Sequence, residues 1–408
     1  MKVPELLLPA GNMRTLKTAL RFGADAVYCG MKQYGLRAQA GNLTAEELAE
    51  ACKLCHDKGT RLYVTLNIFA KDSDRDGMVA AAKEAKLLGA DAVIVSDLGV
   101  IDAIIKNVHE LDVHVSTQAN CTNSASARVF SRLGAKRVVL ARELSMNEIE
   151  HMAAELNGEI ELEAFVHGAE CMSYSGRCML SSYLNGRSAN RGACTQPCRW
   201  DYRVVEAGQP GEGLYVEEGD NGSAIFSARD LCMIDYIDRL ADAGLSCLKV
   251  EGRMKNELYV ATVANVYRQA LNMCAEKKHP GSDCSQKWHE ELEKVSHRPY
   301  DTGFYFGHPH IAGEAKPTQL AEYCGFILEA DKNRALIEMK NRFFVGDVLE
   351  AVTPEGIKPF PVEEIIRNET GESVDCVKIP LDKVWVPCSN GITAGDLLRG
   401  PVRNRANT

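Results

Sequence analysis

The sequence predicts an α/β fold class, in which a (β/α)8-like barrel is followed by a small antiparallel β-barrel domain. Two observations support this prediction. A pattern of helix, glycine and apolar run recurs through residues 1–275, which is typical of βα units with buried parallel strands. After residue 318 the helical period disappears, and short apolar segments separated by turn residues predict antiparallel strands instead.

Four segments share the plan of the repeat. In each, a helical stretch ends at a glycine, and a short apolar run of strand character follows. Glycine suits the end of a helix because it readily takes the left-handed conformation found there. The segments are "FGADAVYCG" at 22–30, "LGADAVIVS" at 88–96, "LGAKRVVLA" at 133–141 and "AGLSCLKVEG" at 243–252.

Four further apolar runs bring the number of predicted strands to eight. They begin at Glu5, Arg61, Val113 and Glu161. Eight strands with intervening helices favour a closed barrel, although a doubly wound open sheet shows the same alternation. In a barrel, the residues at the carboxyl ends of the strands line the active face.

The remaining segments define the domain organisation. The catalytic barrel is predicted over 1–275, with a cysteine loop at 168–200 directly after the seventh strand and a β-hairpin insertion at 202–226. A connector rich in proline and polar residues occupies 276–317, and the C-terminal β-barrel domain occupies 318–408. The cysteine loop is therefore expected on the active face of the barrel.

The composition restricts the class of protein. Of the 408 residues, 45% are hydrophobic and 25% are charged, as in soluble globular proteins. No apolar run reaches the roughly 20 residues that span a bilayer, and the start "MKVPELLLPAGN" has no signal-peptide pattern. We therefore expect a cytoplasmic protein without a membrane partner. Its 15 cysteines should then be buried thiols, catalytic thiols or metal ligands rather than disulfides.

Four cysteines stand apart from the others because they lie close together in a segment rich in glycine, serine and asparagine. They are Cys171, Cys178, Cys194 and Cys198, with the spacing C-x6-C-x15-C-x3-C. This spacing differs from the paired C-x2-C of structural zinc sites and from ferredoxin-type runs. From the spacing alone, an iron-sulfur cluster, a zinc ion and a metal-free loop all stay open.

The segment "EAFVHGAECMSYSGRCMLSSY", from Glu163 to Tyr183, resembles the signature of the collagenase-like peptidase U-32 family. The opening "ELLLPAGN", the later "KVEGRMKNELYVATVANVYRQAL" and the C-terminal "NRFFVGDVLEAVTPEG" are similar to the same family, so the resemblance covers nearly the whole chain. The segment "GACTQPCRWDY" is most similar to the prephenate-dependent, tRNA-hydroxylating branch.

This resemblance implies a function and a cofactor. It implies oxygen-independent hydroxylation of the wobble uridine of tRNA to 5-hydroxyuridine, with prephenate as co-substrate and tRNA as partner. It also implies a 4Fe-4S cluster, with zinc as the alternative, held by Cys171, Cys178, Cys194 and Cys198. Glu170 departs from the family, which usually has an aliphatic residue directly before the first cysteine.

Candidate substrate-binding residues follow from charge and from position. The net charge of −9 opposes RNA binding, since phosphates are normally met by a basic surface. The cysteine loop is nevertheless locally basic, and Arg191 and Arg199 are its candidates for phosphate contacts. Arg37 and Arg142 are candidates for a dianion such as prephenate, because guanidinium groups pair with carboxylates through two hydrogen bonds. Asn67 and Gln118 follow predicted strands and complete the candidate substrate-binding set.

Three residues are the candidates for catalysis. His167 could orient the substrate or move a proton, since its ordinary pKa lies near neutrality. Glu251 and Arg253 alternate with Lys249 in "LKVEGR", so the three side chains point to one side of a strand. His167 could equally be a core histidine, and Glu251 with Arg253 could equally be a structural pair that closes the barrel.

Two other classes of function stay open. A cysteine peptidase could use Cys171 or Cys178 with His167, but a nucleophile accounts for one cysteine and not for four. The sequence also has no H-E-x-x-H and no G-x-S-x-G motif. The third class is a non-enzymatic iron-sulfur or zinc scaffold. A homo-oligomer, or a hetero-oligomer with a related family member, is a further expectation.

Overall fold

Seven parallel strands in chain order begin the fold. The computed structural model describes residues 3–37, 40–200, 204–205, 213–214, 227–278, 281–310, 317–388 and 391–403. The strands are β1 Glu5–Pro9, β2 Ala26–Gly30, β3 Arg61–Leu66, β4 Ala92–Val95, β5 Asp112–Val115, β6 Arg137–Val139 and β7 Glu161–Ala169. Each pairs in parallel with the next one along the chain.

An eighth parallel strand closes the barrel. The chain continues through β8 Val204–Val205, β9 Gly213–Leu214, β10 Asp230–Cys232 and β11 Cys247–Val250. Strand β11 pairs in parallel with both β1 and β7, which confirms the closed barrel and rules out the open sheet. Strands β8 and β9 form a short antiparallel ladder, and the remainder of the predicted hairpin at 202–226 lies outside the described residues.

Helices surround the barrel strands. They are α1 Met13–Arg21, α2 Ala45–His56, α3 Asp72–Leu87, α4 Leu98–Asn107, α5 Ser124–Leu133, α6 Met146–Leu156, α7 Leu180–Asn185, α8 Ile237–Asp242, α9 Glu257–Ala275 and α10 Ser282–Leu292. The four repeat glycines have φ between +83° and +104°, so the predicted helix stops are confirmed. Within the described residues, no helix has both the length and the apolar character that crossing a bilayer requires.

The inside of the barrel is charged. The Arg137 guanidinium lies 3.1 Å from Glu5 and 3.2 Å from Glu163, and Lys249 Nζ lies 2.8 Å from the other oxygen of Glu163. Burial opposes ionisation of Glu163, but Lys249 and Arg137 outweigh it and lower its pKa to about 2. These charges form a layer beneath the active face, as expected from the position of Glu163 well before the end of its strand.

A second domain consists of antiparallel strands. After β12 Tyr300–Asp301, the strands are β13 Ala321–Ala330, β14 Arg334–Met339, β15 Phe343–Phe344, β16 Val348–Thr353, β17 Gly356–Pro361, β18 Ile366–Arg367, β19 Cys376–Val377, β20 Lys383–Pro387 and β21 Leu397–Pro401. Seven of them form one sheet in the order β17-β16-β21-β13-β14-β20-β18. Residues from both ends of this sheet share one hydrophobic cluster, so the predicted all-β character of this domain is confirmed.

The two domains meet through buried ion pairs. The Arg399 side chain is fully buried and lies 2.6 Å from Glu291 of α10 and 2.7 Å from Glu350 of β16. Arg21 of α1 pairs with Asp396 at 2.5 Å. Val352 and Leu397 of the second domain belong to the hydrophobic core of the barrel. The C-terminal domain is therefore packed against the helices of the barrel.

We predict that Arg399→Ala lowers the free energy of unfolding by about 3 kcal/mol, because it empties a fully buried position and leaves Lys294 as the remaining described cation beside Glu291 and Glu350. Arg334→Ala is the matched control, since Arg334 is exposed and its ion pair with Asp331 is 3.7 Å long. The control should change stability by less than about 1 kcal/mol. Urea denaturation of both variants measures the difference, and equal losses would contradict a structural role for Arg399.

Candidate active site

A cavity of about 840 Å³ opens at the carboxyl ends of the barrel strands. The cysteine loop covers one side of it. Seven cationic side chains and two carboxylates line the cavity, in a chain whose net charge is −9. The cations are Arg37, Arg142, Arg177, Arg199, Lys249, Arg253 and Lys255, and the carboxylates are Glu170 and Glu251. The cavity therefore favours an anionic ligand.

The cysteine loop is held in place by hydrogen bonds within the loop and from one neighbouring segment. The Asn190 side chain accepts from the backbone N–H of Cys178 and donates to its carbonyl, both at 3.0 Å. The Glu143 carboxylate accepts from the backbone N–H and the hydroxyl of Ser175, whose φ of +41° is unusual for a residue with a side chain. The conformation of the loop is thus fixed by side chains on both sides of Cys178.

The cysteine loop begins where the backbone of Gly168 packs closely against the backbone of Glu251. Gly168, at the end of β7, has a φ of +104°, and a Cβ atom on it would stand 2.4 Å from the carbonyl oxygen of Glu251. Only glycine can therefore occupy this position without moving one of the two segments. The first cysteine of the loop follows three residues later, so this contact places Cys171 beside the segment that carries Glu251 and Arg253.

Arg191 anchors the loop to α3. Its guanidinium pairs with both oxygens of Asp74 at 2.7 Å and 3.1 Å and donates to the carbonyl of Phe69 at 2.9 Å. Hydrogen bonds from Arg191 lower the pKa of Asp74 to about 2. Arg191 does not line the cavity in the described part of the chain. Its predicted contact with RNA stays a prediction, and this ion pair competes with it.

All four loop cysteines line the cavity as free thiols. The backbone N–H of Leu180 donates to Cys178 Sγ at 3.3 Å, and that of Gln196 donates to Cys194 Sγ at 3.4 Å. Burial raises the pKa of Cys198, and the three other thiols add to this effect. The thiols are therefore near neighbours around one space.

The thiols do not converge into a closed ligand set. Across the described residues, no three His, Cys, Asp or Glu side chains are grouped closely enough to hold a metal ion. The donor chemistry nevertheless fits a thiophilic centre, since four cysteines suit either zinc or an iron-sulfur cluster. The two N–H···S contacts also match the hydrogen bonds to sulfur that tune the reduction potential of such clusters. The residues that would hold the group are Cys171, Cys178, Cys194 and Cys198.

Arg253 lies at the floor of the cavity and is held by neutral groups. One nitrogen donates to Thr65 Oγ1 at 2.7 Å, a second donates to Asn42 Oδ1, and Nε has no hydrogen-bond partner in the described residues. A Cβ atom on Gly30 would stand 2.2 Å from this guanidinium. Burial lowers the pKa of Arg253. A buried cation without a carboxylate contact is well suited to an anionic ligand.

Glu251 is surrounded by cations. Arg37 lies 3.3 Å from its carboxylate, and burial of Glu251 is outweighed by the charges of its neighbours, so its pKa is lowered. These neighbours are Arg37, Arg142, Arg253 and Lys249. Arg142 donates to the carbonyl of Ala169 at 2.9 Å and stacks over Phe165 at 4.0 Å. The carboxylate thus stays ionised and orients several guanidinium groups around one space.

Two amide side chains complete the wall. Gln118 is 5% exposed, donates to the carbonyl of Gly176 at 3.4 Å, and has no described partner for its Oε1. Asn67 Oδ1 accepts from the backbone of Leu36 at 3.4 Å, and its Nδ2 lies 3.5 Å from Ser116 Oγ. These hydrogen bonds are long, so both amides can bind a polar ligand without losing strong contacts.

His167 lies in the core and not in the cavity. It is 1% exposed, its Nδ1 lies 3.3 Å from the Tyr267 hydroxyl, and Tyr259 and Tyr300 pack on its ring. Burial lowers its pKa to about 3, so the ring is neutral near pH 7. No histidine lines the cavity within the described ranges. A Cys171–His167 or Cys178–His167 nucleophile is therefore not assembled here.

The structure adds residues that the sequence did not single out. Lys255 lines the cavity, and Asn42 and Thr65 hold Arg253. A signal for Lys255 was present in the sequence, because the alternation of Lys249, Glu251 and Arg253 continues to it. Asn42 gave no such signal, since it contacts Arg253 across 211 residues of chain.

The fold and this cavity define a (β/α)8-barrel protein with a cationic, thiol-lined pocket at its active face and a C-terminal β domain. The sequence model of Peptidase family U32 matches residues 11–315, and that of the Peptidase family U32 C-terminal domain matches residues 320–399. The chain therefore belongs to peptidase family U32, as its sequence signature indicated.

Relatives in this family carry two kinds of name. The tRNA hydroxylation protein P1 of Bacillus subtilis is 37% identical over 98% of this chain and 95% of its own length. The tRNA hydroxylation protein P of Escherichia coli is 33% identical over 94% of this chain and 93% of its own. A collagenase of Porphyromonas gingivalis is 34% identical over 75% of this chain and 73% of its own.

We predict that Arg191→Ala loosens the cysteine loop, because it removes the ion pair to Asp74 and the contact to Phe69. Limited proteolysis should cleave the loop several-fold faster than in the unmodified protein. Arg187→Ala is the control, since Arg187 is exposed and should not alter cleavage. The double exchange Asp74→Arg with Arg191→Asp should restore part of the protection. Equal cleavage of the Arg191 and Arg187 variants would show that the pair does not anchor the loop.

Proposed function

We propose that this protein is a tRNA-modifying enzyme that hydroxylates the wobble uridine to 5-hydroxyuridine without oxygen. The observation that carries the proposal is a cationic cavity that contains four thiols, in a chain similar over nearly its whole length to tRNA hydroxylation proteins. The cavity volume of about 840 Å³ exceeds that of a single base, so it can hold a flipped nucleotide and a small co-substrate together.

The four cysteines are proposed to hold a 4Fe-4S cluster, with zinc as the alternative occupant. Such a cluster supplies one-electron redox chemistry. This chemistry is required because C5 of uracil is not activated toward attack by water, and acid-base side chains alone do not change that. Asn190 and the backbone N–H groups of Leu180 and Gln196 would keep the thiol-bearing backbone in place.

The floor of the cavity is the proposed site for prephenate. This co-substrate carries two carboxylates, and Arg253, Arg37 and Arg142 offer guanidinium groups on the same side of the barrel mouth. Within the described residues Arg253 has no carboxylate contact, whereas Arg37 is held by Glu251. A carboxylate of the ligand would therefore bind first at Arg253, and Glu251 would orient the cations that receive the second one.

The amide side chains are proposed to bind the uracil. The imide edge of uracil presents one N–H donor between two oxygen acceptors, and a primary amide offers a matching acceptor and donor side by side. Gln118 has a buried Oε1 that lacks a described donor, and a base N–H would satisfy it. Asn67 stands on the same wall. Both would place the base, and neither would exchange a proton with it.

A peptidase is the second candidate function. It is favoured by one observation, the collagenase name of the Porphyromonas gingivalis relative. The position of His167 in the core weighs against it, because no histidine among the described residues lines the cavity that contains the four loop thiols. Two carboxylates among seven cations also offer little to activate a water for peptide hydrolysis.

We predict that protein purified without oxygen contains iron and acid-labile sulfide, and that Cys194→Ala loses both. Cys284→Ala is the control because Cys284 lies in α10, outside the cavity, and it should retain both. Metal analysis and the visible absorption of the cluster provide the measurement. Stoichiometric zinc without sulfide in the unmodified protein would replace the cluster assignment with the zinc alternative.

Deletion of the gene should remove 5-hydroxyuridine and its derivatives from bulk tRNA, in a strain without a second hydroxylase. The Cys178→Ala gene should not restore them. Arg253→Lys should also fail, although its protein keeps iron and sulfide, because a lysine cannot reproduce the two-pronged guanidinium contact. Mass spectrometry of digested tRNA measures the modification. Unchanged levels in the deletion strain would refute the hydroxylase, and cleavage of gelatin by the purified protein would favour the peptidase.

A further inference from the structure

A second cationic cluster surrounds Asp230, a buried residue next to the cavity. Asp230 opens β10 and stands opposite Ala169 in the ladder with β7, so it is adjacent to the start of the cysteine loop. The Arg298 backbone N–H and guanidinium both donate to the Asp230 carboxylate, at 3.3 Å and 3.4 Å. Asp230 is 2% exposed and Arg298 is 7% exposed. This buried pair forms the base of the cluster.

Arg199 and Lys255 complete the cluster from two directions. Arg199 donates to the carbonyl of Glu170 at 3.3 Å and to Gln196 Oε1 at 3.0 Å. Lys255 Nζ donates to the carbonyl of Ser296 at 2.6 Å, two residues before Arg298. Both side chains line the cavity. They are therefore held toward one space by carbonyl and amide oxygens, and not by opposite charges.

The cluster has more positive than negative charge. Neither Arg199 nor Lys255 has a carboxylate oxygen within 4.0 Å in the described part of the chain, and the carboxylate of Asp230 is already bound by Arg298. Among the described residues Arg199 has two hydrogen-bond acceptors and Lys255 has one, fewer than the five and three N–H donors that these side chains carry. An anion bound between Arg199 and Lys255 would compensate their positive charge and accept hydrogen bonds from their remaining donors.

The position of the cluster suggests where such an anion comes from. Arg199 and Lys255 line the cavity and are themselves half-buried, whereas Arg253 is 4% exposed. The two half-buried cations therefore lie nearer the entrance of the cavity, and Arg253 lies at its floor. When a nucleotide enters a pocket with its base first, its flanking phosphates remain at the entrance.

We propose that Arg199 and Lys255 form a phosphate-binding subsite at the rim, which holds a backbone phosphate next to the nucleotide whose base enters the cavity. The subsite rests on the proposed RNA substrate. It is separate from the floor around Arg253, which binds the small co-substrate. A tetrahedral phosphate suits the pair because the guanidinium binds two of its oxygens and the ammonium a third.

The test uses the purified full-length protein and synthetic anticodon stem-loops in which one linkage at a time is a neutral methylphosphonate. Fluorescence anisotropy measures the affinity for each RNA at several salt concentrations. One linkage beside the target uridine should weaken binding by the unmodified protein several-fold. Lys255→Gln should weaken binding of the natural RNA by a similar factor. It should also lower the slope of log affinity against log salt concentration by about 0.7. The neutral linkage should no longer weaken RNA binding by this variant.

Matched variants distinguish this subsite from the other cations of the protein. Lys83→Gln, on the exposed face of α3, should leave affinity and slope unchanged. Arg253→Lys should respond to the neutral linkage as the unmodified protein does. If Lys255→Gln responds to every neutral linkage as the unmodified protein does, the subsite is refuted while RNA hydroxylation stands. Absence of RNA binding by the unmodified protein would instead overturn the proposed function.

Inorganic phosphate distinguishes a free anion from an RNA phosphate as the occupant. If the subsite serves RNA, millimolar phosphate should compete with the natural stem-loop no better than sulfate does at equal ionic strength. A different result would overturn the assignment to RNA. In that result phosphate, but not sulfate, competes strongly with the stem-loop, Lys255→Gln abolishes this competition, and the neutral linkages do not weaken binding. The subsite would then bind a free anion.

Discussion

An excess of buried positive charge at the mouth of the barrel is the constraint on which the rest of the site depends. Seven cations share two carboxylates there, and a buried charge is costly unless hydrogen bonds or opposite charges compensate it. The protein compensates with neutral acceptors. Thr65 and Asn42 hold Arg253, and backbone carbonyls hold Arg199 and Lys255. Such acceptors stabilise each cation without neutralising it, so the cavity keeps its attraction for anions.

Two close approaches require glycine in the backbone around the site. Gly30 must lack a side chain because the Arg253 guanidinium occupies the space of a Cβ atom, and Gly168 must lack one because the Glu251 carbonyl does. Glu143 and Asn190 then fix the cysteine loop above these close approaches. These hydrogen bonds therefore hold the cysteine loop in one conformation at the mouth of the barrel.

The family name and the site point to different chemistry. A cysteine peptidase depends on an imidazole beside its thiol, and His167 is instead packed among tyrosines with its pKa lowered by burial. The charged layer of Glu163, Arg137 and Lys249 beneath the cavity also resembles a structural support more than a hydrolytic centre. What remains at the active face is a cationic cavity suited to anions, and relatives similar over nearly the whole chain are named tRNA hydroxylation proteins.

The sequence by itself determined the eight strands, the glycine stops and the shared direction of Lys249, Glu251 and Arg253, because these depend on local periodicity and on glycine conformation. It also indicated the four cysteines as a group, because their segment is unsuited to burying apolar side chains. Only the tertiary structure decided which partner each polar group has. Arg191 pairs with Asp74 across 117 residues, and His167 enters the core instead of the cavity. Such partners are set by the packing of distant segments, which no local pattern encodes.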